Sequence, residues 1–300
     1  MRGWTARQIP DQSGRKVVVT GANSGIGFHT AGELAGRGAT VILAVRDVAK
    51  GEQAARQLSG AVEVRQLDLA DLEAVRRFAE AWDGPLDLLV DNAGIMAPPL
   101  HRTAQGFESQ LGTNHLGHFA LTGRLLRFLL QAQRPRVVTV SSAAHRMGRM
   151  RWDDLQSERG YSPWRAYGQS KLANLLFAFE LQRRADNAGS NLVSTAAHPG
   201  YAATNLQTGT SSRAQDLVMG VLNRVVAQSA AAGALPTLFA ATEPLPGAAY
   251  IGPGGPGEMR GAPALVDCSA AAKNAQDAAR LWTVSEELTG VEYDFGGAVA

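Results

Sequence analysis

A tyrosine and a lysine stand four positions apart in the stretch Arg165-Ala166-Tyr167-Gly168-Gln169-Ser170-Lys171. On a helix, residues i and i+4 share one face, so phenol and ammonium point into one space. A cation beside a phenol favours the phenolate and lowers a tyrosine pKa from about 10 toward working pH. Tyr167 is therefore a candidate general acid and base, with Lys171 as its electrostatic partner. Such pairs also arise on many solvated helix faces, so the meaning of this one depends on what else the chain brings to the same place.

A second pattern lies near the N-terminus. In Thr20-Gly21-Ala22-Asn23-Ser24-Gly25-Ile26-Gly27, glycines at 21, 25 and 27 permit a tight turn and close backbone approach. Placed between a strand and a helix, that turn offers free amides and a positive dipole end to a pyrophosphate. Gly21, Asn23, Ser24, Gly25, Ile26 and Gly27 are its candidate dinucleotide contacts; the bland alternative is an ordinary glycine-rich turn. The second strand ends in Val45-Arg46-Asp47. An arginine there suits a ribose 2′-phosphate and an acid suits a free 2′-hydroxyl. Arg46 thus favours NADP, and Asp47 keeps NAD as the alternative unless it serves only as a helix N-cap. Asp68, followed by Leu69, closes the third strand, either to accept from an adenine amino group or to form the turn.

The elements that must position these residues follow from hydrophobic patterning. Short β-branched runs predict strands at 16–21, 40–45, 62–67, 86–90, 136–140 and 192–197. Helices are predicted at 28–38, 47–58, 71–82, 106–132 and from about 163 to 188, with Asp47 and Asp71 as N-caps. The alternation argues for one α/β domain over 1–300, a doubly wound parallel sheet of about seven strands with helices on both faces. Every unusual motif falls at a strand's C-terminal end, where such sheets bind ligands. A substrate loop is expected at 201–223, a Gly/Pro-rich surface loop at 252–261, and a C-terminal helix and tail over 270–300.

Composition excludes other classes. The net charge is +2, from 29 basic and 27 acidic residues, with no basic stripe, so nucleic acid is not the expected partner. The single cysteine, Cys268, rules out an internal disulfide and a cysteine metal cluster, and fits a cytoplasmic protein. Neither a signal peptide nor a membrane span is expected, since residues 1–14 have no apolar core and the apolar stretch 216–242 is broken by Asn223, Arg224, Gln228 and Pro236. No metal site is expected. His115 and His118 read as helix-surface or packing residues, and His198 as structural. His145, Tyr161, Trp164 and Tyr201 are candidates to line a substrate pocket or simply to pack.

Together these motifs resemble the short-chain dehydrogenase/reductase family, over residues 14–205. Thr20–Gly27 is similar to its TGxxxGIG turn, and Asp91-Asn92-Ala93-Gly94 to its NNAG, with Asp91 in place of the first asparagine. Ser141-Ser142, Tyr167-x-x-x-Lys171 and Pro199-Gly200 with Thr204 complete the set. A long interval between Ser142 and Tyr167, with Ser170-Lys171-Leu172-Ala173-Asn174, resembles the retinol-dehydrogenase-like and WW-domain-oxidoreductase-like branch. The resemblance implies NAD(P)-dependent interconversion of a carbonyl and an alcohol, with the NADP preference resting on Arg46. It implies that Ser142 and Tyr167 hold the substrate oxygen, that Tyr167 moves the proton, and that Lys171 binds the nicotinamide ribose. Asn114 completes the implied catalytic set by holding a water that links Lys171 to solvent. Asn92, Ala93, Gly94, Pro199, Gly200 and Thr204 are implied cofactor contacts. The family is often oligomeric, so a homo-oligomer is compatible. The rival readings are a non-catalytic NADP(H) sensor or scaffold, which has no need of Tyr167, and a sugar-nucleotide epimerase, whose turn is GxxGxxG.

Overall fold

A computed structural model describes residues 3–200 and 229–296; Tyr201, Thr204 and the segment 201–223 lie outside that range. The first half runs β1 (Lys16–Thr20), α1 (Gly25–Ala35), β2 (Thr40–Val45), α2 (Val48–Ala55), β3 (Ala61–Gln66), α3 (Leu72–Glu80) and β4 (Leu88–Asp91). A short turn α4 (Ser109–Leu111), one π turn (Gly112–Leu116), α5 (Gly117–Leu129) and β5 (Arg136–Val140) follow. The remainder is α6 (Pro163–Asn187), β6 (Val193–Ala197), α7 (Ala230–Thr242), β7 (Tyr250–Pro253), β8 (Pro263–Leu265) and α8 (Ala275–Thr289).

The strands form one sheet in the order β3-β2-β1-β4-β5-β6-β7-β8. Seven run parallel, and β8 adds an antiparallel edge strand. Both faces are buried, and the side chains divide with period two. Val17, Val19, Val41 and Leu43 pack with Leu34 of α1 and Leu238 of α7. Val18, Ile42 and Leu89 pack on the other face with Phe78, Phe119, Phe177 and Trp282. After β3 the chain returns to place β4 beside β1, so the sheet's direction of growth reverses there. Ligands of such sheets sit at that switch point, beyond the strand C-termini.

Three elements differ from the sequence expectation. The helix predicted at 106–132 starts later, because Glu108 accepts from the backbone N–H groups of Gln110 and Leu111 and caps α4. It then passes through the π turn before becoming regular. The Gly/Pro-rich stretch 252–261 is loop only in part: its first two residues complete β7, where Ile251 is wholly buried beside β6. The C-terminal helix begins after a short 3₁₀ turn, at an Asn274 cap, and runs to Thr289, where Gly290 ends it at φ 64°.

Candidate active site

A cleft of about 630 Å³ opens at the switch point, within the size range of small-molecule and cofactor sites. The β1–α1 turn forms its floor. Gly21 has φ 65°, and a Cβ there would lie 3.0 Å from Ala93. A Cβ on Gly27 would lie 2.5 Å from Asn92 Nδ2, which donates to Thr20 O at 2.8 Å. Both glycines are required by close contact, and Asn23, Ser24, Gly25, Ile26 and Gly27 line the cleft at the start of α1. Gly94 is equally confined: its Cβ would approach Asn114 Oδ1 at 3.1 Å and Lys171 Nζ at 3.4 Å. This bare backbone cradle fits a dinucleotide.

Arg46 lines the cleft at the end of β2. Asp47 does not; its carboxylate accepts from Lys50 N as the cap of α2. Asp68 forms the turn, accepting from Ala70 N at 2.9 Å, and also lines the cleft. Leu69, Asn92, Ala93, Pro199 and Gly200 are on the wall as well.

α6 carries the tyrosine and lysine. Pro163 sits in its first turn, where a missing N–H costs nothing. Tyr167 and Lys171 are both buried and both line the cleft. Burial raises the Tyr167 phenol above its ordinary value, and a hydrogen bond with Ser142 pulls the other way. The net direction is opposite to the lowering expected from a neighbouring lysine. Lys171 is itself pushed down to about 8 by burial; its Nζ donates to Val140 O at 3.1 Å and lies 5.9 Å from the centre of the Tyr167 ring.

Both serines line the cleft, and their hydroxyls differ in what they bond. Ser141 donates to Lys171 O at 2.7 Å. Ser142 accepts from Ala144 N at 3.2 Å, which leaves its proton for the phenol side.

Asn114 is wholly buried in the π turn and sits behind the wall. Its Oδ1 accepts from Ile95 N at 2.8 Å, and its Nδ2 donates to Ile95 O and to Ser170 Oγ. Ser170 Oγ in turn donates to Tyr167 O at 2.9 Å. Asn114 thus fastens the turn after β4 to α6.

Of the aromatic candidates, Trp164 lines the cleft, 40% exposed at its mouth. Tyr161 is held elsewhere, donating to Pro98 O. His145 is buried behind Ser142, with Nδ1 on Ser142 O and Nε2 accepting from Ser269 N. His198 faces Glu258 at 3.1 Å, and burial lowers its pKa to about 4. Met147, Glu258 and Met259 complete the mouth, beyond the residues the sequence motifs mark. No local pattern marks them, since 257–259 reaches the cleft only because the β7–β8 connection folds back over Gly200. Among the described residues no helix is long and apolar enough to cross a membrane, and no group of His, Cys, Asp or Glu gathers as a metal site.

Residues 15–215 match the family described as short chain dehydrogenase. Retinol dehydrogenase 12 of Homo sapiens is 41% identical over 96% of this chain and 89% of its own. A solved structure of an uncharacterized protein from Mycobacterium Paratuberculosis is 52% identical, with TM-score 0.85 over 98% of this chain and 100% of its own. A solved structure from Beutenbergia cavernae described as an NAD(P) dependent gluconate 5-dehydrogenase, with NADP bound at low occupancy, is 27% identical, with TM-score 0.59 over 77% of this chain and 90% of its own.

Proposed function

Because this chain belongs to the short-chain dehydrogenase family, in its retinol-dehydrogenase-like branch, we propose that it interconverts a carbonyl and an alcohol with preference for NADP. The observation that carries this is the Tyr167 phenol beside Ser142, with Lys171 one helical turn on, on one wall of a glycine-floored cleft. The nicotinamide, when bound, supplies or takes the hydride. Gly21, Asn23, Ser24, Gly25, Ile26, Gly27, Asn92, Ala93 and Gly94 would hold it, with Lys171 toward its ribose. Ser142 and Tyr167 hold the substrate oxygen. Tyr167 gives that oxygen its proton in reduction and takes it back in oxidation. A phenol raised by burial is proton-loaded at neutral pH, which suits the reducing direction.

The mouth formed by Met147, Trp164 and Met259 supports an apolar substrate, and the relative named retinol dehydrogenase makes retinal the first to test. Tyr167→Phe keeps the shape and removes the exchangeable proton. NADPH-dependent reduction of retinal or other apolar aldehydes is expected to fall at least about a hundredfold, with NADPH binding retained. Full activity in that variant excludes the assignment. Arg46→Ala is expected to weaken NADPH about ten- to a hundredfold, the worth of one charged hydrogen bond, and NADH little. Equal loss of both cofactors would remove the NADP preference.

A further inference from the structure

We propose that His118 is a positioning residue that couples the dinucleotide turn to Asn114, resting on the reading of the cleft as an NADP oxidoreductase site. His118 lies in the first turn of α5 and is 1% exposed. Its Nδ1 is 3.0 Å from the Asn114 carbonyl oxygen, and its Nε2 is 2.9 Å from Thr20 Oγ1. A carbonyl only accepts, so Nδ1 carries the proton. Burial keeps the ring neutral, with a pKa of about 4, so Nε2 is an acceptor. The Thr20 proton therefore points to His118; the other acceptor in reach, Val90 O, is farther at 3.3 Å.

With its proton so placed, Thr20 Oγ1 accepts from the N–H groups of Asn92 and Ala93, at 2.9 Å each. Thr20 is also the last residue before Gly21, where the turn begins. At the other end, Asn114 holds Ile95 and, through Ser170, the backbone of Tyr167. His118 is thus one imidazole between the backbone that cradles a dinucleotide and the residue that fastens α6. An apolar residue of the same volume would leave the Thr20 hydroxyl only Val90 O, at 3.3 Å, as acceptor and the Asn114 carbonyl without this donor.

The two ring nitrogens can be tested separately. Asparagine places an amide near the Nδ1 position, and glutamine places one near Nε2. His118→Leu is expected to lose both NADPH affinity and kcat, each about tenfold or more, the scale of one buried hydrogen bond. Asparagine should restore kcat without affinity, and glutamine affinity without kcat. Affinity is read by NADPH fluorescence titration, and kcat by carbonyl reduction at saturating NADPH. Amide hydrogen exchange of Asn92 and Ala93 in the free protein should be faster in the Leu and Asn variants and unchanged in Gln. Parallel loss of affinity and kcat in the Asn and Gln variants, tracking their melting temperatures, would overturn the coupling, as would unchanged exchange in His118→Leu. Failure of the functional reading is distinguishable: wild-type protein would not bind NADPH, while the exchange result would still decide the coupling.

Discussion

Tyr167 and Lys171 meet on one face of α6, and burial raises the pKa of the phenol and lowers that of the ammonium. Tyr167 and Lys171 are legible from their spacing, because helical period alone puts them on one face. Their proton chemistry is not, because burial, opposed only in part by the Ser142 hydrogen bond, sets the direction of the Tyr167 shift. Asp91 is a similar case. It stands where the family pattern has asparagine, wholly buried, with Thr122 donating to Oδ2 and Oδ1 without a partner. Burial raises its pKa well above the ordinary 3.8, and the Thr122 hydrogen bond only partly opposes this. A carboxyl raised in the folded state binds its proton more tightly there than in the unfolded chain. Its stabilisation is complete below the ordinary value and is lost as pH climbs from there toward the raised value. Asp91→Asn cannot ionise, so the difference in melting temperature between variant and wild type should move in the variant's favour from pH 4 to pH 7. A difference that stays constant with pH would show that Asp91 does not titrate in this window.

Elements carry what no residue shows alone. The alternation of β-branched runs with helices suffices to place β1 to β6: burial on both faces is written in the residues of β1, β2, β4, β5 and β6, and the half-exposed edge strand β3 alternates Val62 and Val64 with polar residues. The π turn was not legible, because its cause is contact with distant chain. Gly112 is pressed against Thr103, and Gly117 against Leu69, where a Cβ would lie 2.3 Å from the carbonyl oxygen. Backbone on backbone cannot yield as a side-chain tip can. Gly117→Ala should therefore force α5 from the Leu69 segment. The expected cost is about 1–3 kcal/mol in urea unfolding, typical of overpacking. Because Leu69 lines the cleft and the π turn carries Asn114, NADPH binding should weaken in the same variant. Stability lost with binding unchanged would mean the helix start does not support the cofactor wall. His118 belongs to this scale too: its partner Thr20 is 98 positions away, so nothing near it in sequence distinguishes it from a packing residue.

At the scale of the molecule, one sheet edge gathers the site while the opposite side of α6 is braced by chain from the C-terminus. Phe177 of α6 and Phe119 of α5 enclose Trp282 of α8, which is 1% exposed, with Tyr293 4.4 Å from it centre to centre. Arg184 lies over the indole face at 4.4 Å, and Glu286 accepts its N–H at 2.7 Å. α6 is thus held between the sheet and α8 along the helix that presents Tyr167 and Lys171. The bracing contacts lie on turns well beyond Lys171, so they support the helix as a body without touching the cleft. Trp282→Ala empties the centre of that cluster and is expected to cost about 3–5 kcal/mol, the range for truncating a buried large aromatic. Measured at a temperature where the variant is still folded, its kcat and KM should stay near wild type, with the loss confined to melting temperature and urea midpoint. If kcat fell while stability held, α8 would instead be setting the geometry of Tyr167, and the division between a gathering edge and a bracing side would not hold.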